Sequence, residues 1–117
     1  MQKTDTIGAE KHNISIVIPA YNEEDNIERC FISVTKVMER YGMDYEIILE
    51  EDGSTDKTPE IIDALANKYP NATALHEFKR RGKGFGIKKG MSEAKGEILA
   101  IIDGDMDYPP ESLPDMF

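Results

Sequence analysis

The feature that most constrains the fold is an alternation of four short apolar runs with three segments of helical periodicity. The apolar runs, each expected to be a strand, are Ile14–Pro19, Tyr45–Glu50, Ala72–His76 and Glu97–Ile102. The helical segments are Ile27–Tyr41, Thr58–Tyr69 and residues 84–95, and Thr58 is expected to cap the second of them. Pro109 is expected to start a final helix. This order predicts an α/β fold in which helices cover both faces of a mostly parallel sheet, giving three α/β/α layers.

Polar segments follow three of the four predicted strands. Pro19–Glu23 comes after the first strand, Glu51–Ser54 after the second and Asp103–Asp105 after the fourth. In open α/β sheets, ligands bind beyond the carboxyl ends of the strands. We therefore expect these three segments to meet at one edge of the sheet.

Asp103 and Asp105 directly follow the apolar run Ile98–Ile102. Ionised carboxylates are costly to bury unpaired, and hard divalent ions such as Mg²⁺ and Mn²⁺ prefer oxygen ligands. The pattern indicates a metal–diphosphate site, whereas an isolated D-x-D would more simply be a solvated acidic turn. An EF-hand loop is excluded because Tyr108 and Pro114 stand where that loop needs glycine and glutamate.

A basic, glycine-rich segment covers residues 79–90. Positions 79–89 hold six of the chain's 14 basic residues and no acid, and glycines at 82, 84, 86 and 90 are interspersed with them. Glycines let a backbone approach phosphate oxygens, and the N-terminus of a following helix favours anions. The segment is therefore either a phosphate cradle or the solvated basic face of a helix.

The other two strand-end segments also carry candidate ligand contacts. Glu51 or Asp52 could accept hydrogen bonds from a nucleobase or a ribose, or Asp52 could instead accept from the backbone of its own turn at Ser54 or Thr55. Tyr21 and Glu23 could stack on or bond a base, or they could serve the first turn of the first helix. The residues alone leave these alternatives open.

Composition excludes several classes of protein. The net charge of −9 argues against nucleic acid as a partner. The single cysteine rules out an internal disulfide and fits a reducing compartment. Residues 1–13 form a polar leader unlike a signal peptide, and no apolar run approaches the ~20 residues that span a bilayer. We expect a single cytoplasmic domain over residues 14–117.

Five segments together resemble family 2 glycosyltransferases of the GT-A fold, in the dolichyl-phosphate mannosyl- or glucosyltransferase group. They are S-I-V-I-P-A-Y-N-E-E at 15–24, E-D-G-S-T-D at 51–56, R-G-K-G at 81–84, A-K-G-E at 94–97 and D-G-D-M-D-Y-P-P-E at 103–111. The resemblance implies the Rossmann-like, nucleotide-binding half of that fold. It also implies a GDP-mannose or UDP-glucose donor, a Mg²⁺ or Mn²⁺ ion, and inverting transfer to a polyprenyl (dolichyl) phosphate. Such an acceptor would place the chain peripherally at the cytoplasmic membrane face.

The resemblance assigns roles to particular residues. Pro19, Tyr21, Glu23 and Asp52 would hold the nucleoside with Glu51 beside them, Lys83 and Gly84 would lie near the donor, and Asp103, Gly104 and Asp105 would form the D-x-D motif. Asp103, Asp105 and Asp107 would be the metal ligands. The family usually has Asp where Glu51 stands and often Gln where Asp107 stands.

Members of the family continue for about as much again, and that part supplies most of the acceptor site and the catalytic base. The domain is therefore expected to be truncated at its C-terminus, and the general base is expected beyond Phe117, so no residue of the chain is assigned that role. The alternative from another class is a non-catalytic nucleotide-sugar-binding module that acts with a partner chain. Self-association is left open.

Overall fold

A computed structural model describes residues 13–104. The strands are β1 (Asn13–Ala20), β2 (Asp44–Asp52), β3 (Ala72–Glu77) and β4 (Ile98–Ile101), and the helices are α1 (Ile27–Arg40), α2 (Thr58–Lys68) and α3 (Lys83–Glu93). The predicted β-α-β-α-β-α-β order is confirmed, with element ends within two residues of those expected. The helix expected from Pro109 lies outside the described residues, as does the chain end at Phe117.

The four strands form one parallel sheet in the order β3-β2-β1-β4. Ile16 of β1 lies opposite both Ile47 of β2 and Ala100 of β4, and Ile47 also lies opposite Ala72 of β3, so β1 and β2 are central. Because all strands run the same way, their carboxyl ends share one edge, and the turns that follow them are brought together there.

The main core lies between the sheet and helices α1 and α2. Ile14, Ile16 and Ile18 of β1 alternate toward this face and pack with buried residues of both helices. Phe31 of α1 is fully buried, and its ring centroid lies 4.9 Å from that of Tyr69. Burying a side chain of this size contributes about 1.5–3 kcal/mol, so these contacts hold both helices on the sheet.

Helix α3 covers the opposite face, which confirms the three-layer α/β/α architecture. Gly90 lies over Val17 and Gly86 lies over Glu50, and a Cβ atom at either glycine would overlap the side chain beneath it. Each glycine disfavours a helix by about 1 kcal/mol relative to alanine, and here the absence of a Cβ lets the helix approach the strands closely.

The predicted role of Thr58 as a helix cap is wrong. Thr58 is the first residue of α2, and its backbone N–H donates to Asp56 Oδ1 at 2.8 Å. Its hydroxyl oxygen accepts instead from the backbone N–H of Glu23 at 2.8 Å. The Thr58 hydroxyl, which was expected to cap α2, therefore binds the loop after β1 instead.

Across residues 13–104, each helix is too short or too polar to cross a bilayer.

Candidate functional site

A cleft of about 200 Å³ opens at the carboxyl edge of the sheet. Its walls are Pro19, Ala20, Tyr21, Glu23, Glu50, Asp52, Arg80, Lys83, Asp103 and Gly104. The three strand-end segments and the basic segment all contribute, so the meeting expected from the sequence is observed.

Asp52 fastens the basic segment to the sheet. Its Oδ1 accepts from the backbone N–H of Arg81 at 2.7 Å, and its Oδ2 accepts from that of Gly82 at 2.9 Å. The Arg80 guanidinium lies 3.8 Å from Oδ2. The alternative in which Asp52 bonds within its own turn is wrong, because that turn is closed by Glu51, whose Oε1 accepts from the Ser54 N–H at 2.7 Å.

The turn after β2 packs closely against the backbone of the basic segment. Gly53 has φ +69°, a left-handed conformation that residues with a Cβ rarely adopt. A Cβ there would stand 2.6 Å from the backbone nitrogen of Arg80. Glycine at position 53 therefore allows both the turn and the close approach of the segment that forms one wall of the cleft.

The loop after β1 is held by the loop after β2. Asn22, with φ 52°, donates its N–H to Ser54 Oγ at 3.0 Å, and its Oδ1 accepts from the Thr55 N–H at 2.8 Å. The backbone of Glu23 is fixed by Thr58, as described above. Tyr21 and Glu23 thus reach the cleft from a loop with fixed geometry.

The ring of Tyr21 also contacts the charged side chain of Arg80. The Arg80 guanidinium carbon lies 4.1 Å from the ring centroid, which is the geometry of a cation–π contact. The pair forms one wall of the cleft, with planar groups of the kind that stack on nucleobases.

The lining of the cleft also includes an ion pair. Lys83 Nζ contacts Asp103 Oδ1, joining the first residue of α3 to the segment after β4. A lysine at a helix N-terminus is a favourable setting for phosphate oxygens. Gly84 lies in the same helical turn but is exposed and does not line the cleft.

Glu51 lies apart from the nucleoside-binding residues with which the family resemblance grouped it. Its side chain is on the α1/α2 face, where Oε2 is 3.2 Å from His76 Nδ1, and His76 Nε2 is 2.7 Å from Asp63 Oδ1. Burial lowers the pKa of His76, but hydrogen bonds to the two carboxylates outweigh it and raise the pKa above its ordinary value. The longer acid reaches the histidine, so Glu51 does not contribute to the proposed ligand site.

Glu50 is a cleft residue that sequence reasoning missed. Its side chain is only 1% exposed, and both carboxyl oxygens lack a hydrogen-bond partner within the described part of the chain. Burial first, and then the charge of Asp52, raises the pKa of Glu50 from 4.5 to about 7. Ala20 and Arg80 were also not assigned to the site, although Arg80 belongs to the basic segment.

The expected metal ligands are only partly within the described residues. Asp103 lines the cleft and supplies the hard oxygen donor that Mg²⁺ and Mn²⁺ prefer, whereas Asp105 and Asp107 lie outside residues 13–104. Within that range, no group of three or more His, Cys, Asp or Glu side chains is placed to hold a metal ion. The metal site remains a prediction to which the structure contributes one carboxylate.

Comparison with known proteins identifies the family. The sequence model described as Glycosyl transferase family 2 matches residues 15–117. The chain belongs to glycosyl transferase family 2. This agrees with the resemblance found in the five sequence segments.

Family 2 relatives and solved structures extend the comparison. A dolichol-phosphate mannosyltransferase of Pyrococcus furiosus is 34% identical over 101 residues, which cover 86% of this chain and 28% of the relative. A mannosyltransferase of Pyrobaculum calidifontis, solved with GDP-Man and Mn²⁺, superposes with a TM-score of 0.70 at 28% identity, covering 87% of this chain and 30% of that one.

A second solved structure gives the same fold. Glucosyl-3-phosphoglycerate synthase of Mycobacterium tuberculosis, solved with Mn²⁺, UDP and phosphoglyceric acid, has a TM-score of 0.68 at 31% identity and covers 88% of this chain and 37% of that one. The Rossmann-like α/β fold expected from the GT-A resemblance is thus confirmed. The present chain spans roughly a third of the length of these proteins, so they are about three times as long as it is, and not twice as long as expected from the resemblance.

Proposed function

We propose that the cleft binds the nucleotide-sugar donor of a glycosyl transfer reaction. The observation that carries this proposal is the pair of backbone hydrogen bonds that Asp52 accepts from the basic, glycine-rich segment. These bonds fix the segment over the strand ends, and the resulting cleft is built from four separate parts of the chain. A cleft with a planar aromatic–guanidinium wall and a lysine at a helix N-terminus suits a nucleoside joined to a diphosphate.

The two walls suggest how the donor lies. The nucleoside would contact Pro19, Tyr21, Glu23 and Asp52, with Arg80 on the Tyr21 ring, and the diphosphate would lie toward Lys83 at the start of α3. GDP-mannose and UDP-glucose are the proposed donors. The solved structures with GDP-Man and with UDP support a nucleotide of this type.

Asp103, with Asp105 and Asp107, would hold a Mg²⁺ or Mn²⁺ ion. When bound, the ion would neutralise the charge that develops on the leaving diphosphate. Lys83 pairs with Asp103 in the structure, and the same lysine would be able to contact the diphosphate when Asp103 binds the metal ion. The Mn²⁺ in two of the similar structures supports a divalent ion in this role.

The acceptor we propose is a polyprenyl phosphate, reached at the cytoplasmic face of a membrane and glycosylated with inversion. The support is the similarity to a dolichol-phosphate mannosyltransferase and to undecaprenyl-phosphate 4-deoxy-4-formamido-L-arabinose transferases such as that of Pseudomonas fluorescens. We assign no general base among residues 13–104. The expectation that the base lies beyond Phe117 falls outside the described residues and stays a prediction.

Calorimetric titration with GDP, UDP, GDP-mannose and UDP-glucose, each with and without Mn²⁺, tests the proposal. We expect at least one nucleotide to bind, and to bind more tightly with Mn²⁺. Lys83→Ala is expected to weaken the nucleoside diphosphate more than the nucleoside, whereas Lys36→Ala, an exposed change on α1, leaves both affinities unchanged. Absence of nucleotide binding would refute the proposal, and binding that ignores Mn²⁺ would refute the metal role.

The alternative is a nucleotide-sugar-binding module without catalysis. Both functions predict donor binding, so the test is transfer of labelled sugar to a polyprenyl phosphate. Transfer supports the enzyme, and tight donor binding with no transfer supports the module.

A further inference from the structure

We propose that Glu50 is a specificity-determining residue of the cleft, and that its carboxylate pairs with the two adjacent N–H donors of guanine. This inference rests on the proposed function, because it takes the cleft to be a nucleotide site. It adds the class of nucleobase, which neither the family nor the sequence segments specify.

Two carboxylates at the end of β2 differ in whether they can still accept hydrogen bonds. Glu50 and Asp52 lie two residues apart in a strand, so both face α3, and both line the cleft. Each Asp52 oxygen already accepts a backbone N–H from the basic segment. Both Glu50 oxygens are buried and lack such a partner within the described part of the chain, which leaves them as the unsatisfied acceptors in the cleft wall.

Within residues 13–104, the backbone of α3 lies directly over the Glu50 carboxyl group. Gly86 of α3 packs directly against the carboxyl group, and it has no side chain to donate a hydrogen bond. A buried polar group without a partner is destabilising, and such groups in native structures generally have a function. Two unused acceptor oxygens in the wall of a ligand cleft point to a ligand with two donors.

The nucleobases differ in the hydrogen-bond donors that they present to a carboxylate. A carboxylate presents two acceptors side by side, and guanine presents the N1–H and the N2 amino group side by side. Uracil has one ring N–H between two carbonyl oxygens, which would repel the second carboxylate oxygen. Adenine and cytosine each place an acceptor ring nitrogen beside their amino group. Guanine is the common base that satisfies both oxygens of Glu50 at once.

The charge of Glu50 gives this pairing a pH dependence. Burial raises its pKa, as do Asp52 and Glu51 on β2 and Glu77 on β3, and Lys89 on α3 opposes them, giving a value of about 7. Only the ionised form offers two acceptors. Its population rises about tenfold between pH 6 and pH 8, so binding of a guanine nucleotide is expected to tighten over that interval.

The experiment compares GDP with IDP, which lacks only the 2-amino group, and with UDP, by calorimetric titration at pH 6 and pH 8. We expect the unaltered chain to prefer GDP over both by about tenfold or more at pH 8, with a smaller preference at pH 6. All three ligands carry the same diphosphate, so the effect of its protonation cancels in the ratio of their affinities.

Two substitutions at Glu50 and one control complete the test. Glu50→Gln keeps the shape but offers only one acceptor, and Glu50→Leu offers none, so both are expected to bind GDP and IDP within about twofold and to lose the pH dependence of the ratio. Glu60→Gln, the same change at an exposed position on α2, is expected to behave like the unaltered chain. Thermal unfolding of each variant checks that it is folded.

The outcomes separate this inference from the function on which it rests. If the unaltered chain binds UDP or IDP as tightly as GDP, or if Glu50→Leu keeps the preference for GDP, the role of Glu50 is refuted while the nucleotide site stands. If none of the three nucleotides binds, the proposed function and this inference both fail.

Discussion

The Glu50 carboxyl group has no hydrogen-bond partner among residues 13–104, which predicts that replacing it stabilises the protein at a pH where the group is ionised. Its pKa in the folded chain is about 7, raised from an ordinary value of 4.5 mainly by burial. The folded state therefore holds this proton more tightly than the unfolded state, so stability is lost as the pH rises from about 4.5 to about 7. Each pKa unit corresponds to about 1.4 kcal/mol, so well above pH 7 the ionised group costs about 3 kcal/mol.

Urea unfolding of the unaltered chain and of Glu50→Gln at pH 5 and pH 8 measures this cost. Glutamine cannot ionise, so the gain in unfolding free energy on substitution is expected to be about 2–3 kcal/mol larger at pH 8 than at pH 5. Taking the difference between the two proteins removes the other titrating groups. The exposed Glu60→Gln change is expected to show no such pH-dependent gain. A gain for Glu50→Gln that is equal at both pH values would refute the reasoning.

Three further predictions concern stability and are checked by the same unfolding measurements. Gly53→Ala is expected to cost about 1–3 kcal/mol, because position 53 has φ +69° and its Cβ would overlap the basic segment; an unchanged stability would contradict the turn geometry. Gly90→Ala is expected to cost about 1–3 kcal/mol, since its Cβ would stand 2.6 Å from Val17 Cγ1, whereas Gly84→Ala, with open space around its Cβ, is expected to be neutral or stabilising. The raised pKa of His76 stabilises the fold fully below its ordinary value of 6.5, and this contribution is lost as the pH rises through the folded value. His76→Gln is therefore expected to be destabilising at pH 5.5 and less so at pH 8.5, and an equal cost at both would contradict the two-carboxylate contact.

The strands, the helices and their common edge could be predicted because local patterns specify them. Ile14–Pro19 is apolar and β-branched and ends at a proline, and the residues from Ile27 onward keep helical spacing. Once a β-α-β order is recognised, parallel strands place their carboxyl ends together. The meeting of the turns after β1, β2 and β4 follows from that order alone.

The chemistry at the end of β2 could not be predicted in the same way. The sequence predicts that the second strand ends at Glu50. A strand with that end gives no reason to place Glu50 and Asp52 on one face of the sheet and Glu51 on the other. In the structure β2 continues to Asp52, which lies opposite Glu77 of β3. A strand extended by two residues would have assigned the three acids correctly, since side chains in a strand alternate between its faces.

Partners distant in the sequence set the remaining details. Asp52 accepts from backbone groups about thirty residues away, and Gly86 lies over Glu50 because α3 crosses that face. The glycines of α3 indicated a weak helix when considered alone. Their packing function depends on the side chains of two other strands, and local propensity contains no information about those contacts.

The central claim is that the carboxyl-edge cleft is the nucleotide site, and amide chemical-shift mapping tests it most directly. The experiment titrates the ¹⁵N-labelled chain with GDP or UDP and follows each backbone N–H. We predict that the affected amides are those of Tyr21 and Glu23, which line the cleft, and those of Arg81 and Gly82, which donate to Asp52 in its wall. The opposite edge of the sheet, at residues 44–46 and 95–96, is expected to stay unchanged. Shifts confined to that opposite edge, or no shifts with either nucleotide, would contradict the account.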